Sequence, residues 1–426
     1  MAQQSAPPAS TAAAVELPYD RPDRLTAGDF VGEIHTYAAA AAQETKYGAK
    51  RDSLAVQFAR LGRPELAWIA WNGGPGSIAW KRQHSADCDE AARGVAADPL
   101  ETLLSWARDR RVVMINENHL APASRAFWLA ALPRLRQMGF TQVAMEALSM
   151  DGGDVKAGEV REHRILEGKP AFAPYLSEPT FAAVIRKALA LGFDLVPYDD
   201  LDVMSDDPDL GEASRERVEA ARLADVLARM PPDGKLVVLA GWSHVDKGLH
   251  GQVPWMAEAF KQRTGIDPLT VDTTACQRPD ATSPATTYLN PDGDARITPS
   301  YMGRVDLQVH MPQAVGADGV AAAGVSRQWL GQPVAIPAAL LPKDGDGVVE
   351  ARKPGQPADT VPYDRLFLRS GEVLPLYLPP GRYVLTLRGE GGAIQASAPL
   401  TVAAPPHDQK GVASVAQAAK PGMPPS

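Results

Sequence analysis

Two histidines in this chain follow apolar runs in a way that invites chemistry. His119 closes the stretch Arg-Val-Val-Met-Ile-Asn-Glu-Asn-His that begins at Arg111, and His244 follows Lys-Leu-Val-Val-Leu-Ala-Gly-Trp-Ser from Lys235. Glu117 stands two positions before His119, and Glu146 ends a third apolar run, Gln142 to Met145. Two imidazoles and two carboxylates permit two mechanisms. In the first, His119 is a general base that deprotonates water, oriented or charge-balanced by Glu117 or Glu146. His244 then acts as general acid or stabilises an oxyanion. In the second, His119, Glu146 and His244 bind a divalent metal. Two histidines and one carboxylate suit Zn²⁺, Mn²⁺ or non-haem iron. Arg125, early in the helix that follows His119, is placed either to clamp an anionic group of a substrate or to sit as a solvated surface charge. Glu146 has no basic neighbour in sequence, and a buried carboxylate requires a partner such as a metal or an imidazolium. Asp199 and Asp272 also end apolar runs and read as supporting residues. His250 follows His244 closely enough to be a spare metal ligand.

These residues need a scaffold that gathers them, and the apolar pattern supplies one. Short continuous apolar runs at 112–115, 142–145, 194–197, 235–240 and 269–271 read as strands buried on both faces. Helical patterns at 100–108, 124–138, 178–191, 212–230 and 254–263 alternate with them. Ser124 is the expected N-cap of the second of these helices, and Gly139 its C′ residue. Pro133 should kink it. Strands alternating with helices imply right-handed βαβ units and a parallel sheet. The carboxyl ends of all its strands then share one edge, where open α/β sheets bind ligands. His119, Glu146, Asp199, His244 and Asp272 should converge there. The polar stretches 151–174 and 202–209 read as loops over that edge.

The fold class expected is therefore α/β, a mainly parallel sheet flanked by helices, with additions at both ends. Residues 15–98 read as an N-terminal helical region, 99–275 as the α/β unit, and 276–299 as a linker rich in Pro, Thr, Asp and Gly. From about 300 to 403 the apolar period becomes two, beginning with Val305, Leu307 and Val309, as in an antiparallel β-sandwich-like domain. Residues 1–14 and 404–426 are rich in Ala, Pro, Ser and Gln and read as a disordered leader and tail. The run Asn72-Gly-Gly-Pro-Gly-Ser77 resembles the oxyanion-hole stretch of serine carboxypeptidases, but nothing in the chain reads Gly-x-Ser-x-Gly, so it is read as a turn beneath tryptophans. Asp344-Gly-Asp-Gly347 lacks the later Glu of a calcium loop and is also read as a turn.

Composition limits the partners. A net charge of −8 does not suggest nucleic acid. No apolar run approaches the ~18–20 residues of a membrane span. A small-molecule or peptide substrate remains. Cys88 and Cys276 have no metal-ligand spacing and are either one disulfide or two buried thiols. No signal peptide is legible, yet an Ala/Pro/Ser leader is common just after a cleaved one. A periplasmic or secreted location is expected, with a cytoplasmic one as the alternative.

Glu117-Asn118-His119 after one strand, Glu146 at the end of the next, and Gly241-Trp-Ser-His244 after a later strand together resemble a superfamily. It joins the erythromycin esterases, the ChaN-like haem-uptake lipoproteins and the Tiki/TraB proteins. Those share a Gly-Glu-x-His-like motif, a strand-end Glu and a second Gly-x-x-His. The resemblance covers about residues 99–275. It implies ester hydrolysis without metal, metal-dependent peptide cleavage, or haem or iron binding without turnover. Asn116 stands where the family usually has Gly, which would limit φ > 0 at that point.

Overall fold

The computed structural model describes residues 28–44, 49–72, 86–146, 148, 155–156, 159–161, 174–199, 208–278, 284–312 and 327–404. The expected leader, the expected tail beyond residue 404, residues 73–77, most of 151–174 and residues 202–207 lie outside the described residues. Along the chain run α1 (Phe30–Ala42), α2 (Ala49–Arg60), α3 (Pro64–Asn72), α4 (Ala86–Ala91), α5 (Pro99–Trp106), β1 (Val112–Glu117), α6 (Pro122–Gln137) and β2 (Phe140–Met145). Then follow α7 (Pro179–Ala190), β3 (Asp194–Pro197), α8 (Pro208–Arg229), β4 (Lys235–Gly241), α9 (Met256–Thr264), β5 (Leu269–Asp272) and β6 (Leu307–Gln308).

The six strands form one sheet in the order β6-β5-β1-β4-β2-β3, and every pair is parallel. All of β1 is buried, which explains its unbroken apolar run. The sheet packs between two apolar layers. Val113, Ile115 and Val237 face the layer of α6 and α7, with Phe127, Trp128 and Phe181. Val112, Met114 and Val238 face α8 and α9, with Leu223, Leu227 and Phe260. Local signals set the helix ends. Asp98 caps α5 through Leu100 N–H at 2.8 Å, with Pro99 at its first position. Gly139 ends α6 and Gly192 ends α7, with φ of 88° and 73° that favour glycine. Ser124 is not the N-cap of α6. The helix starts two residues earlier, at Pro122, and the Ser124 hydroxyl bonds Ala121 O.

The structure departs from the expected division of the chain at residues 300–309. Leu307 and Gln308 are the sixth, parallel strand, and Val309 N–H bonds Asp272 O at 2.8 Å. The apparent alternation there is deceptive, because residues 307–310 are all buried. The antiparallel part follows: β7 (Gly347–Arg352), β8 (Asp364–Leu368), β9 (Gly381–Arg388) and β10 (Ile394–Val402), in the order β8-β7-β9-β10. One face of this sheet buries Val349, Ala351, Leu366 and Leu385. Val348 and Phe367 pack instead into the core of α1 and α2. Phe367 N–H bonds Leu61 O at 2.9 Å, and Arg63 answers through Phe367 O at 2.9 Å. The N-terminal helices thus cover the C-terminal sheet. Cys88 and Cys276 form a disulfide, with Cα atoms 5.7 Å apart, that ties α4 to the chain just beyond β5.

Candidate active site

The carboxyl edge of the sheet brings the expected residues together because β1, β4 and β2 are neighbours. Glu117 is in register with Gly241, and Met145 with Leu239. Glu117 is buried and its carboxylate meets His119 Nδ1. Behind it, Arg125 Nη2 contacts Glu117 Oε2 at 2.9 Å, and Arg125 Nη1 donates to Glu178 Oε2 at 3.0 Å. Glu178 in turn caps α7, accepting from Thr180 N–H at 2.7 Å and Phe181 N–H at 2.9 Å. A chain of charge thus runs from the start of α7 to the imidazole. Arg125 is fully buried, with its guanidinium over the Phe181 ring. Arg125 is therefore not a solvated surface charge, and its guanidinium is committed to two carboxylates and to His119 O at 3.2 Å. Sequence spacing could not reveal this, since Glu178 is 53 positions away.

Glu146 lies beyond the end of β2. It accepts from Gly241 N–H and from Arg215 Nη2 at 2.8 Å, and His244 Nε2 is 3.7 Å away. His119 and Glu146 both crowd Gly241. A Cβ there would stand 2.4 Å from His119 Cε1, 2.9 Å from His119 Nε2 and 3.1 Å from Glu146 Oε2. Burial alone would raise the Glu146 pKa, but His244, Arg215, His119 and the Gly241 amide overcome it and hold the group down at about 2.

His244 follows β4 on a short 3₁₀ turn, Trp242–Val245. Trp242 has φ 42°, the one positive value among the described non-glycine residues. Its carbonyl is held by Asn116 Nδ2 at 2.6 Å. Asn116 itself has no positive φ, and its side chain serves as a strut. It also reaches Asp272 Oδ1 at 2.9 Å and accepts from Thr273 N–H at 2.6 Å. Asp272 also accepts from Gln308 Nε2 at 3.1 Å and from Thr274 N–H at 3.0 Å. Asp199 receives Arg215 through two bonds, of 3.0 and 2.8 Å. His250 stacks on Trp255, with ring centroids 5.1 Å apart.

The His244 Nδ1 atom lies 2.8 Å from Glu216 Oε1 and 3.3 Å from Glu219 Oε2. Burial would lower the His244 pKa, but Glu219, Glu216 and Glu146 outweigh it and raise it to about 10 with no ion present. Burial also pushes Glu219 well above the ordinary carboxyl value. Arg215, Glu216 and Glu219 all project from α8 and were not among the residues singled out in the sequence. A signal for them exists. Glu216 and Glu219 stand at the head of the apolar stripe Ala220, Leu223, Val226, Leu227 and Met230, and an acid on a buried stripe calls for a partner. Among the described residues, the group whose ligand atoms all lie within 4.8 Å of one another is Glu216, Glu219 and His244. It shares only His244 with the expected metal set of His119, Glu146 and His244.

No protein-family model and no curated protein matches the chain. Solved structures with partial similarity include bacterial toxin domains and a type III effector. A MARTX toxin effector domain from Vibrio vulnificus, RRSP, is 17% identical at a TM-score of 0.31, over 60% of this chain and 55% of that one. The C-terminal region of Pasteurella multocida toxin, described as having a thiol-protease like catalytic triad, is 12% identical at 0.31, over 83% and 55%. The type III effector HopBA1 is 12% identical at 0.30, over 51% and 94%. The chain spans little more than half the length of the first two. At such scores these similarities carry neither fold nor activity across to this chain, and the resemblance to the esterase and Tiki superfamily rests on its motifs.

Proposed function

We propose that the chain is a hydrolase acting on an ester or amide bond, with His119 as general base. The observation that carries this reading is the Glu117–His119 pair. Glu117 fixes Nδ1, and Arg125 fixes Glu117, so the imidazole is held in one orientation with Nε2 as the basic nitrogen. The His119 side chain keeps 20% of its surface exposed, against 9% for His244. It is the imidazole of the cluster that a substrate can reach. In the proposed step, Nε2 takes a proton from water while the water oxygen bonds to the substrate carbonyl carbon. The imidazolium lies beside Glu117 and near Glu146, and both carboxylates stabilise its charge as it forms. It then returns the proton to the departing oxygen or nitrogen as the bond from carbon to that atom breaks. Trp242 sits edge-on to His119, with centroids 6.0 Å apart, and Trp71 lies 5.6 Å from Trp242. These rings offer an apolar wall beside the base. A periplasmic or secreted setting fits the Cys88–Cys276 disulfide.

A panel of p-nitrophenyl esters and peptide anilides tests the reading. His119→Ala should abolish turnover on whichever substrate is accepted, with the fold intact by circular dichroism. Glu117→Gln should reduce kcat by about 10²-fold or more. Turnover that survives His119→Ala in folded protein would overturn it.

A further inference from the structure

The structure assigns a second, independent property to this edge of the sheet: we propose that Glu216, Glu219 and His244 Nδ1 bind a divalent transition-metal ion. Three side chains from two elements, α8 and the turn after β4, meet at one point. All three are more than nine-tenths buried. Their facing atoms, Glu216 Oε1, Glu219 Oε2 and His244 Nδ1, meet one another without a well-aligned hydrogen bond. The Nδ1 and Glu216 Oε1 atoms approach to 2.8 Å yet lie off the line of a hydrogen bond. Buried polar atoms are rarely left this way, and an ion is one of the ordinary reasons.

The spacing fits ligands better than it fits a hydrogen-bonded triad. Metal bonds of about 2.0–2.2 Å place neighbouring ligand atoms about 2.8–3.6 Å apart in octahedral or tetrahedral geometry. The two separations from Nδ1, 2.8 and 3.3 Å, fall within that range. Charge points the same way. Glu146, Asp199, Glu216 and Glu219 surround Arg215 and His244. With all four carboxylates ionised and the imidazole neutral, as a metal ligand must be, one guanidinium leaves three negative charges, and a divalent ion takes the place of the protons that otherwise offset them. The outer contacts also suit a metal. The other ring nitrogen of His244 faces Glu146 at 3.7 Å, the carboxylate–histidine–metal arrangement that orients a ligating imidazole. The second oxygen of Glu216 is held by Met256 N–H at 2.6 Å, and Glu219 Oε1 lies 3.1 Å from Arg215 Nε. One imidazole with two carboxylates selects Mn²⁺, Fe²⁺ or Zn²⁺ over Ca²⁺ and Mg²⁺. This site does not depend on the hydrolytic reading, because His119 takes no part in it.

The full chain, stripped with chelator and dialysed, is titrated with ZnCl₂ and separately with MnCl₂ by calorimetry, with CaCl₂ as the control. One equivalent of Zn²⁺ or Mn²⁺ should bind, and bound metal should raise the melting temperature. Glu216→Gln and Glu219→Gln should each weaken binding by at least 10-fold, and Glu146→Gln by a smaller factor. His119→Ala should leave the affinity unchanged. If a buried variant fails to fold, X-ray absorption on the wild-type protein with one equivalent of Zn²⁺ still decides: one nitrogen and otherwise oxygen neighbours are expected. No stoichiometric binding would overturn the proposal. So would an affinity indifferent to both glutamate changes, a loss on His119→Ala, or two histidine nitrogens in the absorption spectrum.

Discussion

Gly241→Ala tests the geometry of the site with one methyl group. Gly241 has φ −84° and ψ 153°, a conformation open to any residue, so the backbone does not resist the change. The resistance comes from His119. Its Cε1 lies 2.4 Å from the position of the new Cβ, where ordinary contact begins at 3.4 Å. The ring must therefore retreat by about 1 Å, or turn and give up Glu117. Losing that charge-assisted bond costs about 1.5–3 kcal/mol. The stiffer unfolded chain of the alanine variant returns roughly 0.4–1 kcal/mol. The net loss of stability is about 1–2 kcal/mol, a fall in Tm of roughly 2–8 °C. Catalysis should suffer more. A displacement of ~1 Å at a general base costs on the order of 10²-fold, about 2.7 kcal/mol of barrier. The assay is kcat/KM on the accepted ester or amide, with the His119 imidazole followed by ¹H–¹⁵N correlation. An alanine variant that is folded, fully active and unchanged at His119 would refute the placement of the ring. One that fails to fold would show that the close approach serves packing instead.

Two further predictions concern stability. The disulfide closes a span of 188 residues, so Cys88→Ser should lower stability by about 3–5 kcal/mol, read by urea denaturation with and without reductant; equal midpoints would show that the crosslink constrains little. Glu350 is fully buried among Arg365, Arg352 and Arg388, and although burial raises its pKa, the three guanidiniums hold it well below the ordinary carboxyl value of 4.5. A depressed carboxyl contributes stability above its unfolded value, and that contribution is lost as pH falls through 4.5 and below. Glu350→Gln should cost about 3–5 kcal/mol at pH 7 and flatten this acid limb in a series of melts from pH 7 to pH 3.

The parallel sheet was legible because strands buried on both faces need apolar runs, as β1 and β4 have, and because the shorter runs of β2, β3 and β5 alternate with helices. Strand β3, expected to be buried on both faces, is instead a partly exposed edge strand. The sixth is two residues long, and Gln308 within it is buried through Asp272 and Thr298 rather than by apolar contact. Nothing in residues 305–309 distinguishes a parallel edge strand from the first strand of an antiparallel sheet. The packing of α1 and α2 on β7 and β8 was equally out of reach. It depends on contacts such as Phe58 against Phe367, whose rings are 6.0 Å apart across some 300 residues of chain.

The candidate site divides in the same way. His119, Glu146 and His244 were found because each sits at or just past a strand end, and one edge gathers strand ends regardless of loop detail. The residues that set their chemistry come from helices, where the sequence records only which face is apolar. Arg125 is on the buried face of α6 and Glu216 and Glu219 on that of α8, each at a place where a hydrophobic residue would have packed without help. A charge on a buried helix stripe is costly unless another charge meets it. Arg125 is met by Glu117 and Glu178, all within the described residues. On α8 the acids outnumber the bases that meet them, and that imbalance distinguishes this side of the site from the balanced side around His119. Around Arg125 each carboxylate faces a guanidinium, whereas Glu216 and Glu219 both turn an oxygen toward the same imidazole nitrogen, and that convergence is what a cation would answer.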